Sequence, residues 1–525
     1  MKSKHIPGIF NDVLGPIMRG PSSSHTAAAH RIGSLIRQAG NPDFSKVTVK
    51  FDKTGALATT YLGQGSALGL SGGLLGLEIT NPEIIEYEKH LEKSSFNIEY
   101  IITDIQNKHP NAYQINIQYP DRQNLHILAI STGGGMFEIV EWNSFKVSLK
   151  GDFFETLLIF QNMDPKKISE VEYKLKNHLT DSNIDLSIDN NQNLLVHIKS
   201  ARRLVKKIEN ITGLTPFRYE KYELEPVMPT PSALKINLPF TTVDEMLKLA
   251  SEENLSLAEL AIIYEKARTG LSQSAILKKM EEIVLIIKKS IEEGLRGTQF
   301  KDRMLGAQSP LIEKALKEGR FQKSINSSII AYTSAIMEVK SSMGLIVAAP
   351  TAGSCGVVGG TLFGSLQDEA FDLQNMVMAF LAAGITGVFI AADYTFSAEE
   401  GGCQVEAGSG SAMAAAGLVE LNGGSAKQAM DAASMALQNQ LGLICDPVAV
   451  RVEAPCLGKN IMAASNAYNS YMMAIAGFDV LIPYHEVIGA MKSVGNVLPS
   501  SLCCTGLGGL AQTPTGKCLY KKFNA

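Results

Sequence analysis

The chain holds seven cysteines, and none precedes Cys355. The others are Cys403, Cys445, Cys456, Cys503, Cys504 and Cys518, so thiol chemistry belongs to the C-terminal part. Cys403 lies in Glu400-Gly401-Gly402-Cys403-Gln404, Cys445 in Leu443-Ile444-Cys445-Asp446-Pro447, and Cys456 in Glu453-Ala454-Pro455-Cys456. Gly or Pro lies within two residues of each of the three, which puts the thiols at helix ends or loops, where distant segments can converge. Three thiolates can hold an iron–sulfur cluster and leave one iron open as a Lewis acid. Three scattered buried thiols are the plainer reading, because free cysteine is a common core residue. Zinc is the rival metal, but its sites usually show close Cys-x-x-Cys pairs, which are missing from this sequence.

Gly20-Pro21-Ser22-Ser23-Ser24-His25-Thr26 precedes a stretch, Ala27 to Gln38, that reads as a helix. The hydroxyls and the first free N–H groups of that helix then point into one space, an anion site in kind that suits a carboxylate. One serine capping the helix is the structural alternative, though three serines, a histidine and a threonine in a row exceed what a cap needs. Ser131-Thr132-Gly133-Gly134-Gly135 either lets backbone N–H groups approach a ligand or makes a plain turn between strands. Ala349 to Gly360 reads as a glycine-rich loop entering a helix. Its glycines run Gly-x-x-Gly-x-x-Gly with no preceding βαβ pattern, so it is no dinucleotide fingerprint. Gly516-Lys517-Cys518 has Ala511 where a phosphate-binding loop needs its first glycine and Cys518 where it needs Ser or Thr.

Positioning these groups takes several elements. A chain of 525 residues is expected to form two to four domains, and 45% hydrophobic residues rule out disorder as the main state. Charged residues are only 19%, with 48 basic against 52 acidic, so bulk attraction to nucleic acid or an anionic membrane is not expected. The N-terminus carries neither a long apolar core nor a small-residue cleavage signature, so no signal peptide is expected. The cysteines are then placed in a reducing cytoplasm, with no disulfide framework. The most apolar run, Met376 to Ala392, is marginal for a bilayer span of about 20 residues and reads as a buried core helix.

The chain divides by pattern into an α/β domain over 1–144, a small ferredoxin-like module over 145–222 and a large all-helical domain over 223–525. In the first, Val47 to Phe51 and Ile115 to Tyr119 alternate like half-buried strands. The second runs strand, helix, strand, helix: Leu157 to Phe160, a turn at Asp164-Pro165, helical Lys167 to Leu179, strand Asn193 to Ile198, then helical Ala201 to Glu209. Prolines in Leu224 to Pro231 suit an extended connection. Beyond Thr241, helical patterns dominate, including Ser256 to Thr269, Ser272 to Glu293, Ser409 to Leu421, Ala426 to Leu441 and Asn460 to Ala476.

Taken together, the Gly20 to Thr26 segment, the Ala349 to Gly353 loop, Gly401-Gly402-Cys403-Gln404, Cys445-Asp446-Pro447-Val448, Pro455-Cys456 and Thr505 to Ala511 resemble the iron-sulfur-dependent L-serine dehydratases. The resemblance covers nearly the whole chain, as that family's β part fused to its α part. The cysteine spacings of 42 and 11 residues match its cluster ligands. It implies a [4Fe-4S] cluster on Cys403, Cys445 and Cys456, no pyridoxal phosphate, and deamination of L-serine to pyruvate and ammonia in an oxygen-sensitive cytoplasmic enzyme of amino-acid catabolism, feeding gluconeogenesis. Ser22, Ser23, Ser24, Thr26 and Thr351 are then substrate contacts, His25 a proton-transfer group, and Cys518 the nearest resting ligand for the open iron, ahead of Cys503 and Cys504. A homodimer is the default assembly. The middle module resembles an ACT domain, although the usual Asp-Arg-Pro-Gly loop reads Asn162-Met163-Asp164-Pro165. Where the family commonly carries Gly-His-Gly, this chain reads Gly63-Gln64-Gly65, and glutamine takes up no proton at neutral pH. Another group is then the base, or the substrate is a different β-hydroxy amino acid, or catalysis is lost and a cluster-binding relative remains.

Overall fold

The computed structural model describes every residue except 1–5, 41–42, 106–108, 122, 205–207, 209–210, 212–217, 367–370 and 524–525. After a two-residue strand β1 (Ile17–Met18) come β2 (Lys46–Asp52), β3 (Asn97–Thr103), β4 (Ala112–Gln118), β5 (Leu125–Gly133), β6 (Met136–Trp142) and β7 (Phe145–Leu149). They form a sheet in the order β3-β2-β4-β5-β6-β7, with β2 and β3 parallel and the other neighbours antiparallel. Both predicted strands lie in it, as β2 and β4. Strand β5 buries Leu125, Ile127, Ala129, Ser131 and Gly133, so the same alternation that packs the sheet turns Ser131 inward. Ser131-Thr132-Gly133 ends β5 and Gly134-Gly135 turns the chain into β6, with all three glycines at positive φ.

Helix Ala28–Gly40 lays Ala28, Ile32, Leu35 and Ile36 into the core of that sheet. It continues without a break from a wide five-residue turn, Ser23–Ala27, so packing of the helix fixes where Ser22 to Thr26 stand. A second helix, Ser66–Leu75, crosses it backbone to backbone. Side chains at Gly69 and Gly73 would collide with the carbonyls of Thr26 and His30. Gly69→Ala is therefore expected to destabilise the fold by roughly 1–3 kcal/mol, read as a lowered urea midpoint, because backbone on both sides cannot yield as a flexible side chain would. An unchanged midpoint would show that the two helices can part.

A smaller antiparallel sheet follows, from β8 (Phe154–Phe160), β9 (Ser182–Ile188), β10 (Leu194–Ser200) and β11 (Tyr219–Leu224) in the order β11-β8-β10-β9. One face, with Leu158, Phe160, Val196 and Ile198, packs on Val171 and Leu175 of helix Pro165–His178. The other face sends Leu157, Ile159 and Leu195 into the core of the six-stranded sheet. Asp164-Pro165 is not the predicted turn but the helix start. Proline suits a first turn that needs no donor there, and Asp164 Oδ1 accepts from the Lys167 N–H at 3.0 Å. The expected helix over 201–209 lies mostly outside the described residues.

Among the described residues the C-terminal part is helical, apart from β12 (Ile346–Val347), which pairs antiparallel with β1 and ties the N-terminal part to the helical part. Sequence signals set its helix starts. Ser256 and Ser272 accept from the N–H groups three residues on, and Glu259 returns the bond to the Ser256 N–H. Ser409–Leu421, helical as predicted, is buried through Val419 and has no solvent face along that length. Leu373–Asp393 is long and apolar enough to cross a membrane, but 78% of its most apolar window is buried among other helices. Glycine makes room in it: Ile9 packs at Gly384 and Val13 at Gly387, so the segment Ile9–Val13 fills the core of the helical part.

Candidate active site

Three buried thiol-bearing segments meet at one end of the helical part. Gly402, at φ 72°, turns the chain so that Gln404 N–H donates to Leu443 O at 3.0 Å. The Gln404 side chain accepts from the Gly442 N–H at 3.0 Å and donates to Met491 O at 3.1 Å, fastening the Cys403 loop to the Cys445 loop. Cys445 in turn pairs its backbone with 502–504, donating to Leu502 O at 2.8 Å and accepting from the Cys504 N–H at 3.0 Å. The Cys403 and Cys445 sulfurs and a Glu406 oxygen lie within 4.8 Å of one another, a group able to hold a metal. Cys504 packs with Cys403 and Cys445. Cys456 opens helix Cys456–Ile475, whose next turn carries Lys459 and Asn460. Lys459 Nζ bonds Asp446 Oδ1 and Ile444 O, each at 2.7 Å, and points at Cys403 Sγ at 3.8 Å.

Cys445, Cys456 and Cys504 resist ionisation. Hydrogen bonding to Cys403 and Cys504, then burial, raise the Cys445 thiol well above its ordinary range. Burial first, then the charge of Cys403, raise Cys456. For Cys504 the hydrogen bond with Cys445 works downward, and burial with Glu399 and Glu406 outweighs it. Burial also pushes the Glu406 carboxyl up to about 7, against the hydrogen bond that Thr351 Oγ1 donates to it at 2.6 Å. Around Lys459, burial works against the charge, and Cys403 and Asp446 more than restore it. Cys503, beside Cys504, is buried with its Sγ 4.0 Å from Glu400 O. The other two cysteines stand apart. Cys355 begins helix Cys355–Ser365 beside Met337, raised to about 12 by burial, and Cys518 is exposed on helix Pro514–Phe523.

The N-terminal part reaches the same place. Ser22 Oγ lies 3.1 Å from His25 Nδ1, and Thr60 Oγ1 2.8 Å from His25 Nε2. Glu399 from the helical part stands 3.6 Å from Nδ1. Burial drives His25 below its ordinary range and Glu399 partly opposes this, so the imidazole is neutral near pH 7. Ser23 Oγ accepts from the Ala352 N–H at 3.1 Å, docking the serine loop on the loop that carries Thr351. Ser24 O accepts from Ser131 Oγ at 2.7 Å, and Thr26 Oγ1 donates to Gln64 O at 3.1 Å. The simple capping alternative fails, since Ser22 precedes the wide turn without a side-chain cap.

Sequence reasoning did not mark Glu399, Glu406, Thr60 or Asn111. Asn111 is buried next to the Ser131 backbone, and neither atom of its amide has a partner among the described residues. It also ranked Cys518 ahead of Cys504, whereas the structure brings Cys504 to Cys445. The adjacency of Cys504 to the Thr505 to Ala511 motif was the available signal. Gln64 Nε2 points at Cys504 Sγ, 3.7 Å away, and at Val450 O, 3.3 Å away, so the unprotonatable residue lies against the thiols.

The family model described as "Serine dehydratase alpha chain" matches residues 252–511, a span that holds six of the seven cysteines, all but Cys518. The probable L-serine dehydratase alpha chain of Bacillus subtilis is 38% identical over 54% of this chain and 95% of that protein. The L-serine dehydratase alpha chain of Peptoniphilus asaccharolyticus is 36% identical over 54% of this chain and 97% of that protein. The L-serine dehydratase of Streptomyces coelicolor is 32% identical over 53% of this chain and 61% of that protein. With nearly the full length of two alpha chains matched across the thiol-bearing helices, the chain belongs to the L-serine dehydratase family.

Proposed function

We propose that the protein deaminates L-serine to pyruvate and ammonia with a [4Fe-4S] cluster held by Cys403, Cys445 and Cys456. The observation that carries this reading is the convergence of buried thiols with His25 and Glu399 across one seam. The donor set fits the group: soft sulfur predominates, and Cys445 and Cys456 would release their protons on binding a cationic centre, whose charge offsets the thiolates formed. Lys459 adds a fixed positive charge beside Cys403 that suits bound thiolates. When bound, such a cluster supplies an open iron, a Lewis acid that offsets charge on a departing hydroxyl.

The chain's own residues do the rest. Ser22, Ser23, Ser24, Thr26 and Thr351 position the amino acid, with the Asn111 amide as an added polar contact. Neutral His25 takes the proton from Cα, Glu399 stabilises the imidazolium so formed, and Ser22 and Thr60 hold the ring. Loss of that proton and of the β-hydroxyl leaves 2-aminoacrylate, which water converts to pyruvate and ammonia. Seven cysteines, all free, suit a reducing cytoplasm. Gln64 beside Cys504 supports a second reading, the same chemistry on another β-hydroxy amino acid.

The test is pyruvate release from L-serine by protein purified without oxygen, repeated on the same sample after air. Turnover that air abolishes is the expected result. A cluster-bearing protein that turns over another β-hydroxy amino acid and not serine would establish the second reading. A cluster without turnover on any amino acid would overturn both.

A further inference from the structure

Away from the thiols, one face of helix Ala28–Gly40 lines a cavity of about 560 Å³. The 76–80 turn, the 226–229 connection from the smaller sheet, and Lys279 and Glu282 of helix Gln273–Leu295 complete its wall. Three cations face it, Arg31, Arg37 and Lys279, against two carboxylates, Glu78 and Glu282. None of the five forms an ion pair with a described residue. Arg31 is the unusual one. It is only 5% exposed, its Nη1 donates to Gly135 O at 2.6 Å, and its Nε and Nη2 bond no described residue. Burial brings the guanidinium down to about 10, with Asp12 the only charge pulling the other way. Arg37 and Lys279 are likewise held by single carbonyls, Leu74 O at 2.8 Å and Pro229 O at 3.0 Å.

We propose that this cavity binds a small organic anion, its oxyanion group taken by Arg31 with Arg37 or Lys279. A guanidinium presents several donors in a fixed fork matched to carboxylate and phosphate oxygens, and Arg31 has most of its fork turned from protein partners. The volume exceeds that of a bare oxyanion and lies in the ordinary range for small-molecule sites, which calls for a carbon skeleton behind the charge. The position makes the ligand an effector. Arg31 holds Gly135 O, and Gly133 in the same turn abuts Ser397. Ser397 Oγ donates to Glu399 Oε2 at 2.7 Å, and Glu399 faces His25. Anion binding is independent of the reaction, whereas its influence on turnover rests on the serine-deaminating reading.

The experiment is calorimetric titration of the full chain at 0.15 M salt with two probes, malate and glycerol 3-phosphate. At least one is expected to bind with Kd below 5 mM, and Arg31→Gln and Lys279→Met are each expected to weaken it at least tenfold. Lys279 is partly exposed, so its variant keeps the test open if Arg31→Gln folds poorly. Malate alone binding makes the ligand a carboxylate, glycerol 3-phosphate alone a phosphate ester, and both a shared oxyanion. Cys445→Ser protein is expected to bind as the unaltered chain does. If neither probe binds below 5 mM, if both variants bind normally, or if Cys445→Ser loses binding, the proposal falls. Absence of pyruvate release alongside normal probe binding would remove the reaction and leave the site.

Discussion

Cys445→Ser protein, purified without oxygen, is expected to hold less than about a tenth of the iron of the unaltered chain and to release no measurable pyruvate from serine. Cys445 is the thiol that both neighbours need. It meets Cys403 on one side and Cys504 on the other, and its backbone bridges to 502–504. Serine at this place keeps the backbone pairing but offers a hard, weakly acidic hydroxyl instead of a soft thiolate. Cys355→Ser and Cys518→Ser serve as controls and should keep both iron and turnover, since one thiol is packed against Met337 and the other is exposed. Cys504→Ser separates the roles further. It leaves the three proposed ligands in place, so iron should remain. Full iron content in Cys445→Ser would end the cluster assignment.

The second large effect is on proton transfer. His25→Gln is expected to lower kcat roughly 10²- to 10⁴-fold, the usual contribution of a general base, with iron content unchanged. Glutamine fills similar space and can still bond Ser22 or Thr60, so the loss would report the proton and not the packing. The sign of the pH dependence follows from burial. His25 acts in its neutral form, and burial sets its pKa below the ordinary 6.5, so kcat/KM should fall only as pH drops through that lowered value. Glu399 opposes burial; its replacement by Gln therefore moves this acid limb to still lower pH. It also lowers kcat, because the imidazolium loses its supporting charge. A His25→Gln enzyme within a few-fold of the unaltered one would remove His25 from the reaction.

Much of this architecture was legible from local chemistry. Helix starts at Ser256 and Ser272 follow from capping residues, and β2 and β4 from alternation, because these signals lie within a few residues of what they determine. Gly and Pro beside the cysteines correctly put Cys403, Cys445 and Cys456 at loops and a helix start. Two kinds of feature escaped. One is pairing across long separations: the two-residue β12 answers β1, and the short bridge at Cys445 carries Cys504 across 59 positions, neither with a periodicity to betray it. The other is the partner that only the fold selects. Glu399 stands in an acidic pair next to a glycine-rich turn, and nothing in that surrounding points to a histidine 374 residues earlier. Asp164-Pro165 shows the reverse error, a turn-like dipeptide that serves as a helix start.

The insertion of Ile9–Val13 against Gly384 and Gly387 has a consequence for synthesis. Ile9–Val13 is core material for a helix, Leu373–Asp393, that begins 360 residues later in the chain. Ile9, Phe10 and Val13 must therefore stay unburied until that helix has been made. A fragment starting after the smaller sheet would carry the thiols and their helices but keep an open furrow along Leu373–Asp393 where that segment belongs.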